Sequence, residues 1–126
     1  MTFTAPTTEQ LFVLKTITGI EELASHERFA EATPDLVEAI VEGVGEFAAG
    51  EFAPLYRIGD TVGARLIDGS VKMPEGYREA YQHYVEAGWS ALSAPADHGG
   101  QGLPFSLATV ALDSLGAANM AFALCP

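Results

Sequence analysis

The chain has 126 residues, of which 17 are acidic and 6 are basic, so its formal net charge is −11. Hydrophobic residues make up 48% of the sequence and charged residues 18%, a balance typical of a folded domain with its own core. This charge argues against binding to nucleic acid or to an anionic membrane surface, since both need clustered lysine and arginine.

Cysteine use and hydropathy indicate the compartment. The single cysteine, Cys125, excludes an internal disulfide, and the first residues lack the basic and then apolar pattern of a secretory signal. The most apolar stretch, residues 103–126, contains Pro104 and Asp113 and is too broken to predict a membrane-spanning helix. We therefore expect a cytoplasmic protein.

The first half of the chain predicts helices. Residues 8–25 have helical spacing interrupted by Gly19, which predicts two short helices or one broken helix. Thr33 is a good N-cap and Pro34 suits the first position of the clearest helix, which Gly50 ends or bends. Its apolar stripe consists of Leu36, Val37, Ile40, Val41, Val44 and Phe47.

The second half alternates irregular segments with helices. Within residues 62–71, the turn signal Asp68-Gly69 favours a short two-stranded ribbon. A helix is predicted over residues 75–87, ended by Gly88 in the left-handed conformation. A further helix runs from Phe105 or Ser106 to residue 115, where Gly116 breaks it, and a last helix begins near residue 118.

The residue types that carry chemistry are isolated from one another. The three histidines have no partner at metal-ligand spacing, so we nominate no metal site. Cys125 lies in an apolar run without a basic neighbour, so we nominate no catalytic residue. Gly99, Gly100 and Gly102 form neither GxGxxG nor a Walker loop, which favours a rigid turn over a phosphate-binding loop.

Four separate pieces of the sequence carry a family resemblance. Residues 3–6 (FTAP) and 12–14 (FVL) are followed by Ala-Pro with Gly-Asp at residues 53–60, and then by Pro74 with Gly76-Tyr77. Residues 88–104, GWSALSAPADHGGQGLP, complete the series. In this order and spacing, the chain resembles the N-terminal region of an acyl-CoA dehydrogenase of the larger kind, which has an added N-terminal segment. Ala96-Asp97 stands where the family often carries one or two glutamates, a surface change.

The resemblance implies an all-α fold, an irregular up-and-down helical bundle with a Gly/Pro-rich connecting loop. Residues 1–33 would form the N-terminal extension of short helices. Residues 34–126 would form the helical N-terminal domain, truncated at its C-terminal end. We expect the truncation because the C-terminal stretch is apolar and would form a surface that needs a partner. Asp113 is its one charged residue after Leu103.

The resemblance also implies a function for a parent enzyme. Acyl-CoA dehydrogenases oxidise an acyl-CoA thioester to the enoyl-CoA. A glutamate takes the α-proton, FAD takes the β-hydride, and electrons leave to an electron-transfer flavoprotein. In the family the base and most flavin contacts lie in later domains, so we expect this chain alone to hold no flavin. A homo-oligomer is also implied.

The resemblance assigns the N-terminal helices to one side of the acyl pocket, and position along the chain selects Asn119, Met120, Phe122 and Ala123 as that wall. A role in the helix–helix core is the other reading of these residues, and for Leu124 and Cys125 it is the preferred one. The alternative function is a non-catalytic helical interaction module that pairs with another subunit.

Overall fold

The N-terminal residues form short helical pieces. The computed structural model describes residues 2–124 and 126. Helix α1 spans Thr7–Phe12 and widens into a π-helical turn over Val13–Ile17. Gly19, in the left-handed conformation at φ 61°, separates this piece from α2, Ile20–Leu23. The predicted break at Gly19 is therefore confirmed.

Helix α3, Pro34–Phe47, begins as its sequence predicts. The backbone N–H of Leu36 donates to Oγ1 of Thr33 at 3.3 Å, and Pro34 occupies the first turn. The helix buries one stripe of side chains, as expected from its spacing. Beyond it the chain stays helical: a π-helical turn over Ala48–Phe52 contains Gly50 and leads through a 3₁₀ turn, Ala53–Leu55, to α4, Tyr56–Thr61.

The predicted ribbon is confirmed as an antiparallel hairpin. Strands β1, Arg65–Ile67, and β2, Ser70–Lys72, pair with Leu66 opposite Val71. Asp68 and Gly69 both have positive φ, 49° and 75°, as a tight hairpin turn requires. All six strand residues are exposed.

The connecting loop after α5 is held by its own backbone. Helix α5 spans Tyr77–Glu86, and Gly88 follows it at φ 76°. Three N–H groups from the second half of the loop donate to carbonyls of the first half at 2.9 Å: Gln101 to Ala91, Gly102 to Ala94, and Leu103 to Leu92. The predicted rigid turn is thus confirmed.

Helix α6 corrects the sequence-based prediction. It runs from Phe105 to Ala123 without interruption at Gly116, and its one non-helical residue is Asn119. The N-cap is Pro104, and no side chain caps the helix. A glycine costs about 1 kcal/mol in a helix, which the burial of this helix against the rest of the core outweighs.

Residues 103–126 were expected to be too broken for a membrane-spanning helix, and α6 differs from that expectation. Neither Pro104 nor Asp113 breaks the apolar stretch, and α6, with 19 residues and a mean hydropathy of 1.2, is long and apolar enough to cross a bilayer. It packs against α3, however, and buries Leu107, Ala111 and Leu115 in the core. Core helices pass the same test of length and composition, so α6 is weak evidence for a span.

The core lies between α3, the π-helical turn that follows it, α5 and α6. The expectation of a mainly helical bundle with a Gly/Pro-rich loop is confirmed, with one short hairpin added. The N-terminal pieces share this core, since Leu14 and Ile20 belong to the same buried cluster. The division of the chain at residues 33 and 34 stays a prediction.

The loop glycines differ in what they tolerate, which gives a test of loop rigidity. A Cβ at Gly100 would lie 2.0 Å from the carbonyl oxygen of Ala94, whereas a Cβ at Gly50 would meet nothing within 4 Å. We expect Gly100→Ala to destabilise the chain by about 2 kcal/mol through this backbone clash. Gly50→Ala, the matched control, is expected to be neutral or mildly stabilising. Urea unfolding of both variants measures the difference, and equal stabilities would contradict a rigid loop.

Candidate functional site

Asn119 interrupts α6 and restarts it. Its backbone is extended, at φ −159° and ψ 85°, and its side chain is 1% exposed. The side-chain amide donates from Nδ2 to the carbonyl oxygen of Phe52 at 3.2 Å. Oδ1 accepts the backbone N–H of Phe122, also at 3.2 Å, as an N-cap residue does. Asn119 therefore redirects the last turn of α6.

The redirected turn places Phe122 in an aromatic stack. Its ring lies 4.4 Å from that of Phe52 and 4.7 Å from that of Tyr77, measured between centroids. The Tyr77 hydroxyl donates to the carbonyl of Leu55 at 3.4 Å, which anchors the outer ring. The edge of Phe122 borders a groove of about 340 Å³, which we call the aromatic groove. Its lining consists of Met73, Tyr77, Arg78, Tyr81, Ala121 and Phe122.

A second groove follows the opposite side of α6. It has a volume of about 490 Å³, and we call it the α6 groove. Its lining consists of Thr109, Leu112, Asp113, Gly116, Ala117, Met120, Ala123 and Leu124. Met120 is 59% exposed and stands over the groove, whereas Ala123 is buried at its floor. The lining is apolar apart from Thr109 and the Asp113 carboxylate.

The four residues predicted as an acyl wall thus divide between two surfaces. Met120 and Ala123 share the α6 groove, Phe122 borders the aromatic groove, and Asn119 lies buried between them. Their role stays a prediction. The expectation that Leu124 lies in the core is wrong for this chain, because its side chain is 77% exposed at the end of α6. Cys125 lies outside the described residues.

Sequence reasoning missed most of the groove lining. Met73 and Tyr81 reach the aromatic groove from segments that are far in sequence from Phe122, and no local sequence motif predicts that these residues come together. Leu112 was detectable, since it continues the spacing of an apolar helix to a face that α3 does not cover.

The charged groups of the site are few. Asp113, on the rim of the α6 groove, accepts a hydrogen bond from Nε2 of Gln10 at 2.9 Å. Among residues 2–124 and 126, no group of three or more histidine, cysteine or carboxylate side chains is placed to hold a metal ion. The arrangement suits the binding of an apolar group better than acid–base chemistry.

Most of the chain matches a known protein family. Residues 34–126 match the family model described as acyl-CoA dehydrogenase, N-terminal domain. The chain belongs to this family. The resemblance inferred from the sequence motifs is therefore confirmed.

A curated relative extends the match over the whole chain. It is a 3-methylmercaptopropionyl-CoA dehydrogenase from Ruegeria pomeroyi, 40% identical over 126 residues. The alignment covers 100% of this chain and 21% of the relative, so the chain spans about a fifth of that relative's length. The similarity of this acyl-CoA dehydrogenase domain to the relative includes residues 1–33, which precede the family match.

One surface contact of the domain gives a pH-dependent test. Nδ1 of His83 lies 3.0 Å from Oε2 of Glu51, and the hydrogen bond to this carboxylate, followed by its charge, raises the pKa of His83 above 6.5. The contact joins α5 to the π-helical turn after α3.

A raised pKa in the folded state means that protonated His83 favours folding. The contribution is fully present below pH 6.5, the ordinary value, and is lost as the pH rises through the raised pKa. We expect the native chain to exceed His83→Gln in stability at about pH 5.5 and to lose this advantage by about pH 8.5. Urea unfolding at both pH values measures it. His26→Gln removes an exposed histidine elsewhere and controls for net charge. An advantage that grows with pH would contradict the assignment.

Proposed function

We propose that this chain is the N-terminal helical region of an FAD-dependent acyl-CoA dehydrogenase, which introduces a double bond between Cα and Cβ of an acyl-CoA thioester. The support is the family match over residues 34–126 together with the alignment of the full chain to part of a dehydrogenase. The reaction is of the kind used in fatty-acid β-oxidation, with an electron-transfer flavoprotein as acceptor. The enzyme would be a cytoplasmic homo-oligomer.

The observation that carries the proposal is the α6 groove. An acyl chain needs an apolar surface, and each methylene removed from water contributes about 0.8 kcal/mol of binding free energy. The groove offers such a surface, with Met120 and Ala123 near the end of the helix. We assign these two residues to the acyl wall. Phe122 and Asn119 support the wall, since one packs in the aromatic stack and the other restarts the helix beneath it.

The lining of the α6 groove does not suit the flavin itself. A flavin diphosphate needs convergent N–H groups or cations, whereas the charged side chain in the α6 groove is the Asp113 carboxylate. When bound in the parent enzyme, FAD would accept the hydride. The part of this chain is to bind the acyl group and to keep water from it. The base and the flavin contacts are assigned to residues beyond this chain.

The substrate class is proposed from the relative, which is a dehydrogenase of 3-methylmercaptopropionyl-CoA, a thioester whose acyl group is short and contains a thioether. We propose a short acyl-CoA for this enzyme as well. Met120 fits such a substrate, because its polarisable, flexible side chain adapts to small apolar groups.

The assignment of the flavin contacts to residues beyond this chain can be tested directly. We expect the 126-residue chain, purified alone, to show no flavin absorbance and no acyl-CoA oxidation. The product of the full reading frame that contains it should bind FAD and reduce an artificial electron acceptor with a short acyl-CoA. Stoichiometric flavin on the 126 residues alone would overturn the assignment of the flavin contacts. A flavin-free, inactive full-length product would overturn the proposed activity.

The acyl wall can be tested with two exposed methionines. Met120 borders the α6 groove and is 59% exposed, and Met73 borders the aromatic groove and is 53% exposed. In the full-length enzyme, Met120→Ala should lower kcat/KM for a short acyl-CoA by about tenfold, because it removes apolar contact with the acyl group. Met73→Ala should stay within about twofold of native. The reverse pattern would place the wall in the aromatic groove.

The alternative function is a non-catalytic helical module that pairs with another subunit. The exposed apolar side chains on α6 favour it, since Phe105, Leu112, Met120 and Leu124 leave a face that a partner helix would cover. Self-association of the isolated chain is expected under either function, so it does not separate them. A native gene product that ends at residue 126 and works through a separate subunit would favour this alternative.

A further inference from the structure

The segment before the family match is built into the core. Ala5, Gln10, Leu14, Ile20 and Ala32 are buried, although residues 34–126 alone match the family's N-terminal domain. Gln10 is the polar side chain in this group. It is 7% exposed, and its contacts lie more than a hundred residues away in sequence.

Gln10 joins α1 to α6 through three hydrogen bonds. Its Nε2 donates to Oδ2 of Asp113 at 2.9 Å and contacts Oγ of Ser114 at 3.0 Å. The Ser114 hydroxyl is also placed to donate to Oε1 of Gln10, at 3.3 Å. Ser114 is fully buried, so no water replaces its hydrogen bonds to Gln10 if the contact is lost, whereas the Asp113 carboxylate is exposed. A buried polar cluster of this kind fixes one arrangement of the two helices where apolar side chains would allow several.

The segment is also fixed along α3. Gly45 lets the chain pass closely, since a Cβ there would lie 2.9 Å from Cγ2 of Thr7 and 3.0 Å from Cβ of Ala5. Further along, the Lys15 ammonium pairs with the carboxylates of Glu38 and Glu21. The close approach at Gly45 and the Lys15–Glu38 pair place the segment against α3 at the start of α1 and again in the π-helical turn that follows α1.

We propose that residues 2–33 form a strap that sets the rotation and register of α6, and that Gln10 is its positioning residue, acting through Asp113 and Ser114. Neighbouring residues of a helix point about 100° apart, so a small rotation of α6 would move the Asp113 carboxylate toward the apolar lining of the α6 groove. By donating to that carboxylate, Gln10 keeps it at the rim. The consequence for the acyl wall rests on the proposed function, whereas the positioning of α6 does not.

The test replaces the amide of Gln10 by a carboxyl group of the same shape. In Gln10→Glu, two carboxylates would face each other at neutral pH, and the repulsion should lower Tm by about 5 °C or more relative to the native chain. At about pH 4.5, close to the ordinary pKa of a glutamate side chain, the introduced carboxyl group is protonated in part and can donate to Asp113, so the difference should fall below about 2 °C. A role in packing alone would give the same loss at both pH values.

Two further variants make the test specific. Asp113→Asn in the Gln10→Glu background should restore Tm at neutral pH, because one charge is removed. Thr8→Glu, which adds a carboxylate on the exposed side of α1, is the matched control and should change Tm by less than about 2 °C at both pH values. The other carboxylates within and along the strap, which include Glu21, Glu38, Glu42 and Glu46, are the same in all variants. A loss in Gln10→Glu that is independent of pH and not rescued by Asp113→Asn would overturn the proposal.

A last measurement separates this proposal from the proposed function. In the full-length enzyme, Gln10→Glu should raise KM for the acyl-CoA by about fivefold at neutral pH with little change in kcat, and Asp113→Asn should reverse the change. If the Tm pattern holds and the full-length product has no dehydrogenase activity, the strap stands and the proposed function fails. An unchanged KM in an active enzyme would overturn the link between the strap and the acyl wall.

Discussion

The stack of Phe122 between Phe52 and Tyr77 is the interaction on which the end of the fold depends. It joins three elements that are far apart in sequence: the π-helical turn after α3, the start of α5 and the last turn of α6. Aromatic rings bury large areas, and their stacking adds about 1 kcal/mol per pair beyond that burial. Without the stack, the last turn of α6 would lack the contacts that direct it, and both grooves would lose a wall.

The stack is possible because two helices depart from regular geometry at the same place. The 3₁₀ turn Ala53–Leu55 lets the N–H of Tyr56 bond to Ala53, which leaves the carbonyl of Phe52 free to accept from Asn119. Asn119 in turn leaves the helical conformation and caps the turn that carries Phe122. A buried amide or carbonyl without a hydrogen bond costs about 1 to 3 kcal/mol. The side-chain amide of Asn119 and the carbonyl of Phe52 avoid this cost because each is the hydrogen-bond partner of the other.

The sequence predicts the features that depend on local chemistry. Thr33-Pro34 starts α3 and Asp68-Gly69 turns the hairpin, because capping and positive φ are decided by adjacent residues. The break predicted at Gly116 is wrong for the opposite reason, although the last helix does restart near its predicted position, at Asn119. Helix α6 continues through Gly116 because the helix is buried against the core. It breaks at Asn119, whose side chain donates to the carbonyl of Phe52. The same limit applies to the site, where position along the chain found Met120 but not Met73.

The two sides of α6 explain how an acidic chain can present an apolar groove. One side is held by α3 and by Gln10, and the other exposes Leu112, Met120 and Leu124. Burying such a side chain fully contributes about 1.5 to 3 kcal/mol, so the exposed side favours whatever covers it. Surface charge of one sign opposes association between copies of the chain, but it does not remove the apolar contact that any correctly placed surface gains on this side of α6. In the related dehydrogenase most of the polypeptide lies outside the aligned region, which is where such a covering surface would arise.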